Sequence, residues 1–79
     1  MSHVAHELHE EFPDKATAIH TLKSTNAHFS RLAEEYHTLN RTLHRMETEV
    51  EPADDATIET LKKKRLQLKD EISQILAAH

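Results

Sequence analysis

The stretch FSRLAEEYHTLNRTLHRM, residues 29–46, decides the fold that this 79-residue sequence predicts. Its large apolar side chains recur alternately three and four residues apart, at Phe29, Leu32, Tyr36, Leu39, Leu43 and Met46. This heptad spacing places them on one stripe of a helix that packs against a neighbouring helix. The stripe extends backwards to Leu22 and forwards to Val50. We therefore expect one long helix over residues 14–49, about 50 Å in length at 1.5 Å per residue.

The sequence VEPADD, residues 50–55, marks the end of that helix. Pro52 lacks a backbone N–H donor, and an aspartate at position 54 or 55 is suited to cap a following helix. We expect the second helix over residues 56–78, where the heptad is kept by Ile58, Leu61, Leu68, Ile72 and Ile75. A short loop makes two helices antiparallel neighbours. The sequence therefore predicts an all-α fold built on an antiparallel two-helix hairpin.

The loop also sets the register of the hairpin. Folding there pairs residues whose numbers sum to about 104 in an antiparallel helix pair. Met46 then lies near Ile58, whereas Leu39 faces the charged Arg65. We treat residues 1–79 as a single domain in which residues 1–12 form a short amphipathic segment and Pro13 opens the long helix.

The composition excludes several classes of function. The chain has no cysteine and no glycine, which rules out disulfides, thiolate metal sites and glycine-rich phosphate loops. No window approaches the run of about 20 apolar residues that a membrane span needs. We also see no signal peptide and expect a cytoplasmic protein. A helical hairpin offers no dry concave pocket, so we expect neither catalysis nor a cofactor.

Several motifs resemble those of the YdcH-like family, short bacterial proteins grouped as a domain of unknown function. They are Phe12-Pro13 at the start of the long helix, Leu22-Lys23 followed by Phe29, and the run KKKRLQLKDEI at residues 62–72. The last run is the most specific of the three. The resemblance implies a helical hairpin and brings no catalytic residue or cofactor with it.

The hairpin leaves apolar residues without a partner. The expected long helix, residues 14–49, is more than ten residues longer than the second helix, residues 56–78. Because both helices rise equally per residue, the start of the long helix extends beyond the end of the second. The candidate partner surface is this overhang together with two leucines beside the seam: Ala16, Ile19, Leu22, Leu66 and Leu76. We expect self-association, most simply an antiparallel dimer that forms a four-helix bundle and shares the heptad core. The alternative is a monomer in which residues 1–12 fold back over the overhang.

Eight histidines in one short chain raise the question of metal binding. His3, His6 and His9 lie three residues apart on one helix face, which makes them weak candidates for chelating Zn²⁺ or Ni²⁺. No distant third ligand is evident, and we expect a solvated polar face. Together the histidines also suggest the hypothesis of a pH-dependent association switch, because protonating all eight changes the formal net charge from -4 to +4.

The run Lys62-Lys63-Lys64-Arg65, with Lys69, is the concentrated basic feature of the sequence. It supports an alternative function, the binding of nucleic acid or of another anionic surface. No aromatic residues are interleaved with it for base stacking, and the chain is acidic overall. We therefore expect an interaction module that contacts proteins rather than nucleic acid.

Overall fold

The structure is a computed structural model that describes residues 6–48 and 53–79. In these ranges the chain forms four α-helices and one 3₁₀ turn, and the predicted all-α class is confirmed. The helices are α1 (Leu8–Glu11), α2 (Ala16–Thr25), α3 (Ala27–Glu47) and α4 (Asp55–Ala78), with the 3₁₀ turn at Pro13–Lys15 between the first two.

Helices α3 and α4 form the antiparallel hairpin. Helix α4 begins one residue before the predicted start, where the Asp54 side chain accepts a hydrogen bond of 2.8 Å from the Thr57 backbone N–H. Across the seam, Arg65 donates to Asn40 at 3.0 Å, and their numbers sum to nearly the predicted value. Arg65 is therefore held by Asn40 rather than lying along Leu39 alone. Part of the predicted loop, residues 50–52, lies outside the described residues.

The prediction of a single long helix over residues 14–49 is wrong, because the helix is interrupted at Asn26. This residue has an extended backbone, with φ -129° and ψ 105°, and its side-chain oxygen accepts a hydrogen bond of 3.0 Å from the Phe29 N–H. The amide oxygen thus caps α3, satisfying one of the N–H groups that a helix start leaves without a partner. The longest dimension of the molecule is 38 Å, shorter than the unbroken helix would be.

The break lets α2 turn back beside the first half of α3. Ile19 and Lys23 of α2 line a cavity of about 100 Å³ together with Ala33 and His37 of α3. In a continuous helix, residues 19 and 33 would lie roughly 21 Å apart. The apolar residues that were predicted to overhang without a partner therefore pack against α3 of the same chain.

The prediction that these residues form an exposed partner surface is therefore wrong for most of them. Ile19, Leu22 and Leu76 are buried in the core, while Ala16 is exposed. Leu66, 58% exposed, is the one large hydrophobic side chain in the described ranges that faces solvent. Three side chains of the predicted partner surface thus serve intramolecular packing instead.

A single core joins all the helices. Its buried members are Leu8, Ile19, Leu22, Phe29, Leu32, Ala33, Tyr36, Leu39, Leu43, Leu68, Ile72 and Leu76. Phe12, Ala18, Ile58, Leu61 and Ile75 pack against it and are partly buried. Met46 is also only partly buried. None of the described helices is both long and apolar enough to cross a bilayer.

Removing the Asn26 cap tests the break. We expect Asn26→Ala to lower the free energy of unfolding by about 0.5–2 kcal/mol, because the Phe29 N–H loses its acceptor. Asn26→Asp, which retains a side-chain oxygen, should keep most of the stability and serves as the matched control. Urea unfolding followed by circular dichroism measures both, and equal stability of Asn26→Ala and the parent would contradict the role assigned to the cap.

Candidate interaction site: the N-terminal arm and the hairpin groove

Residues 6–12, here called the arm, lie against the α3–α4 hairpin. The Tyr36 hydroxyl, on a fully buried ring, donates a hydrogen bond of 2.6 Å to the His6 carbonyl. His6 has a positive φ of 66°, an uncommon conformation for a residue other than glycine. Leu8, 6% exposed, adds the apolar anchor of the arm to the core. The arm is therefore fixed at both a polar and an apolar point.

Glu7 connects the arm to α3 directly and, through Asn40, to α4. One carboxylate oxygen lies 3.1 Å from His37 Nδ1, and the other accepts a hydrogen bond of 3.4 Å from the Asn40 side chain. Asn40 is 1% exposed and receives a hydrogen bond from Arg65 through its own oxygen. A buried amide costs free energy unless it is hydrogen-bonded, and these partners satisfy it.

Glu11 makes the second acidic contact of the arm. Its Oε1 lies 3.2 Å from Lys69 Nζ and 3.1 Å from His6 Nδ1. Partial burial acts to raise the pKa of Glu11, but the hydrogen bonds from Lys69 and His6 outweigh it and hold that pKa below its usual value. Lys69 also lies 6.0 Å from the centre of the Phe12 ring, at the outer limit of a cation–π contact.

Docking of the arm combines opposing contributions to the free energy. Burial of a leucine side chain stabilises by about 1.5–3 kcal/mol, and each of the hydrogen bonds by about 0.5–1.5 kcal/mol. Fixing the backbone of the arm costs about 1–2 kcal/mol per residue. The gains and the cost have opposite signs and the same order of magnitude.

A groove opens on the other side of the hairpin. It has a volume of about 430 Å³, and its lining side chains all belong to α3 and α4: Arg31, Glu34, Glu35, Thr38, Leu39, Thr42, Leu61 and Lys64. Glu35 and Thr42 lie on one side of the Tyr36 stripe of α3, whereas His37 and Asn40, which hold the arm, lie on the other. The floor of the groove is apolar, formed by Leu39 and Leu61.

The structure disperses the basic run instead of gathering it into one patch. Lys62 lies 3.5 Å from Glu47, Arg65 bonds to Asn40, and Lys69 contacts Glu11 of the arm. Lys63 and Lys64 are exposed, and Lys64 lines the groove. Three of the five candidate anion-binding residues are thus engaged in contacts within the chain.

The histidines are spread over the surface in the same way. His3 lies outside the described residues, His6 contacts Glu11, and His9 is exposed. Across residues 6–48 and 53–79, no three histidine, aspartate or glutamate side chains are grouped so that they could hold a metal ion. Two histidines contact carboxylates in the described ranges. His6 contacts Glu11 within the arm, and His37 of α3 contacts Glu7 of the arm.

Comparison with known protein families gives a match that covers the hairpin. Residues 29–76, which span most of α3 and α4, match the family model described as "Protein of unknown function (DUF465)". The chain belongs to the DUF465 family. The resemblance to YdcH-like proteins is thereby confirmed, since they belong to this family. No curated protein and no solved structure gives a significant match.

The arm of this DUF465 protein lies outside the range that the family model matches. The family model covers the hairpin and the groove, whereas the arm and α2 precede it. On the hairpin side the arm is contacted by Tyr36, His37, Asn40 and Lys69, which all lie inside the matched range. Sequence reasoning missed Asn40 as a buried residue and missed both acidic contacts of the arm. The predicted register, which places Arg65 opposite Leu39, could have indicated the neighbouring Asn40 as a partner of Arg65.

Tyr36 provides a spectroscopic test of the docked arm. Burial, with the nearby charge of Glu11, raises the pKa of Tyr36 to about 12. The stability linked to this group is therefore complete below the unfolded pKa of about 10 and is lost as pH rises towards the folded value.

Since the chain has one tyrosine and no tryptophan, tyrosinate absorbance reports Tyr36 alone. We expect the titration midpoint to be raised in the native protein, to be lower in Glu11→Gln, and to be unchanged in the control Glu59→Gln. A native midpoint equal to that in denaturant would contradict the buried, arm-covered phenol.

Proposed function

We propose that the protein is a non-catalytic helical interaction module of the cytoplasm that self-associates through the groove between α3 and α4. The observation that carries this proposal is the charge pattern of the groove. Around an apolar floor, the α3 rim carries Glu34, Glu35 and Arg31, with a net negative charge, and the α4 rim carries Lys64. All four charged residues are exposed and accessible to another molecule.

Opposite charges on opposite rims suit a two-fold dimer. In such an interface one surface meets the same surface of a second copy, so that each contact between two residues occurs twice. Lys64 of one copy would then face Glu34 and Glu35 of its partner, and the reverse pair would form at the other end. Arg31 also lines the α3 rim, one turn before Glu35, where an i,i+4 pair of opposite charge supports the helix.

The structure changes the expected strength of this association. The sequence predicted a large unpartnered overhang, but Ile19 and Leu22 are buried within the chain. Within the groove, the apolar surface left for a second copy is small, because Leu39 is a core residue and Leu61 is partly buried. Interfaces that combine a small apolar centre with a charged rim are typical of transient association. We therefore expect a reversible dimer rather than an obligate one.

The alternative function, nucleic-acid or anionic-surface binding, has weaker support. A phosphate-binding surface needs basic side chains that are available on one face. Lys62, Arg65 and Lys69 are instead engaged with Glu47, Asn40 and Glu11. Their contacts contribute to holding the hairpin and the arm.

Charge exchange across the groove tests self-association. We expect Lys64→Glu to weaken the dimer because it would place like charges against Glu34 and Glu35. The double variant Lys64→Glu/Glu35→Lys should recover much of the association, since the two rims again carry opposite signs. Sedimentation equilibrium over a wide concentration range measures each dissociation constant.

Lys63→Glu is the matched control, since it makes the same change of net charge at an exposed position that does not line the groove. It should leave the dimer unaffected. A parent protein that remains monomeric at every concentration would contradict the proposal. Equal weakening by Lys63→Glu and Lys64→Glu would show that net charge, rather than the facing rims, controls association.

A further inference from the structure

We propose that the surface under the arm is a binding site for a short acidic helical segment of a partner protein, and that the chain's own arm occupies this site in the closed state. We call this surface the arm site and define it by Tyr36, His37, Asn40, Arg65 and Lys69. It lies on the opposite side of α3 from the groove, so this inference is independent of self-association.

The chemistry of the arm site selects an acidic occupant. On a chain with a formal net charge of -4, the site brings together Lys69 and His37, which contact the arm, and Arg65, which bonds to Asn40. The Asn40 amide and the Tyr36 hydroxyl add two hydrogen-bond donors that point to the arm. The occupant supplies the complement, with Glu7 on His37 and Asn40 and Glu11 on Lys69.

The shape of the site selects a helical turn with one leucine. Leu8 is buried, and the small cavity beside it is lined by Ile19 of α2 and Ala33 of α3. Phe12 is partly buried at the end of the same turn. The pattern read by the site is a carboxylate followed directly by leucine, with a second carboxylate three residues after the leucine. An amphipathic segment of this pattern fits the way helices are recognised by apolar grooves.

The arm can be replaced because side chains hold it. Each hydrogen bond described between the arm and α3 or α4 involves at least one side chain. The arm contains a single helical turn that ends just before Pro13, so the backbone hydrogen bonds within it are few. A segment from another protein that presents the same side chains can thus take its place. Because the arm is tethered, it competes at high effective concentration, and partner affinity falls with the fraction of sites it occupies.

A designed probe tests the arm site in the full-length protein. The probe is a fluorescein-labelled, alanine-based peptide that keeps only the arm's Glu-Leu-x-x-Glu-Phe pattern. The receptor is the chain with Glu7→Gln/Glu11→Gln, which weakens its own arm and leaves the hairpin side of the site unchanged. We expect fluorescence anisotropy to show binding about tenfold tighter than to the parent, equivalent to about 1.4 kcal/mol of released competition.

Matched controls separate the site from general charge attraction. A probe with both glutamates replaced by glutamine should lose binding, and so should a receptor that also carries Lys69→Glu. Lys63→Glu in the same receptor changes the net charge equally, lies away from the arm, and should leave binding intact. Leu8→Ser provides a second arm-released receptor if the glutamine variant fails to fold, as judged by circular dichroism.

Three results would overturn the inference. The first is absence of probe binding to a folded arm-released receptor. The second is equal binding to the parent and to that receptor, since the arm would then not cover the site. The third is dimerisation of the arm-released chain that persists in Lys64→Glu and excludes the probe, because the occupant would then be the arm of a second copy.

Discussion

Asn26 accepts a hydrogen bond from the Phe29 N–H while its own backbone is extended, and the remaining architecture depends on this corner. The cap starts α3 at a fixed residue and frees α2 to turn back beside it. That return buries Ile19 and Leu22, which a straight helix would have left exposed beyond the end of α4. It also completes the apolar surroundings of Leu8, so the docking of the arm depends on the same corner. A two-helix hairpin of this size has little core of its own, and the corner adds a third helix to it.

The polar contacts beside the core have a different role from the apolar ones. Asn40 is buried between Glu7 of the arm and Arg65 of α4, so one amide connects three segments of the chain. A buried amide with few alternative partners penalises any register that removes its hydrogen bonds, whereas leucines tolerate a shift. The apolar stripe therefore supplies most of the stability of the hairpin, and the Asn40 contacts favour one alignment of its elements. The same contacts make the arm site selective for a carboxylate.

The sequence predicted the hairpin because a heptad and a proline-containing loop are local signals. The start of α4 was predicted within one residue, since Asp54 is a strong capping residue directly after Pro52. The break at Asn26 was missed because Leu22 and Phe29 keep the heptad spacing across it. Ser24, Thr25 and Asn26 were a usable signal, since all three compete with the helical backbone for hydrogen bonds. The arm contacts were out of reach, because they join residues about 30 or more positions apart, and periodicity along one helix does not determine such contacts.

The family match covers the hairpin and assigns it no activity, so the account depends on how the preceding residues pack against it. Backbone Cα chemical shifts and nuclear Overhauser effects in solution test that packing most directly. We expect helical shifts over residues 16–25 and 27–47, an extended-type shift at Asn26, and contacts between the Ile19 and Ala33 side chains. Uninterrupted helical shifts through residue 26, with no contact between Ile19 and Ala33, would contradict it.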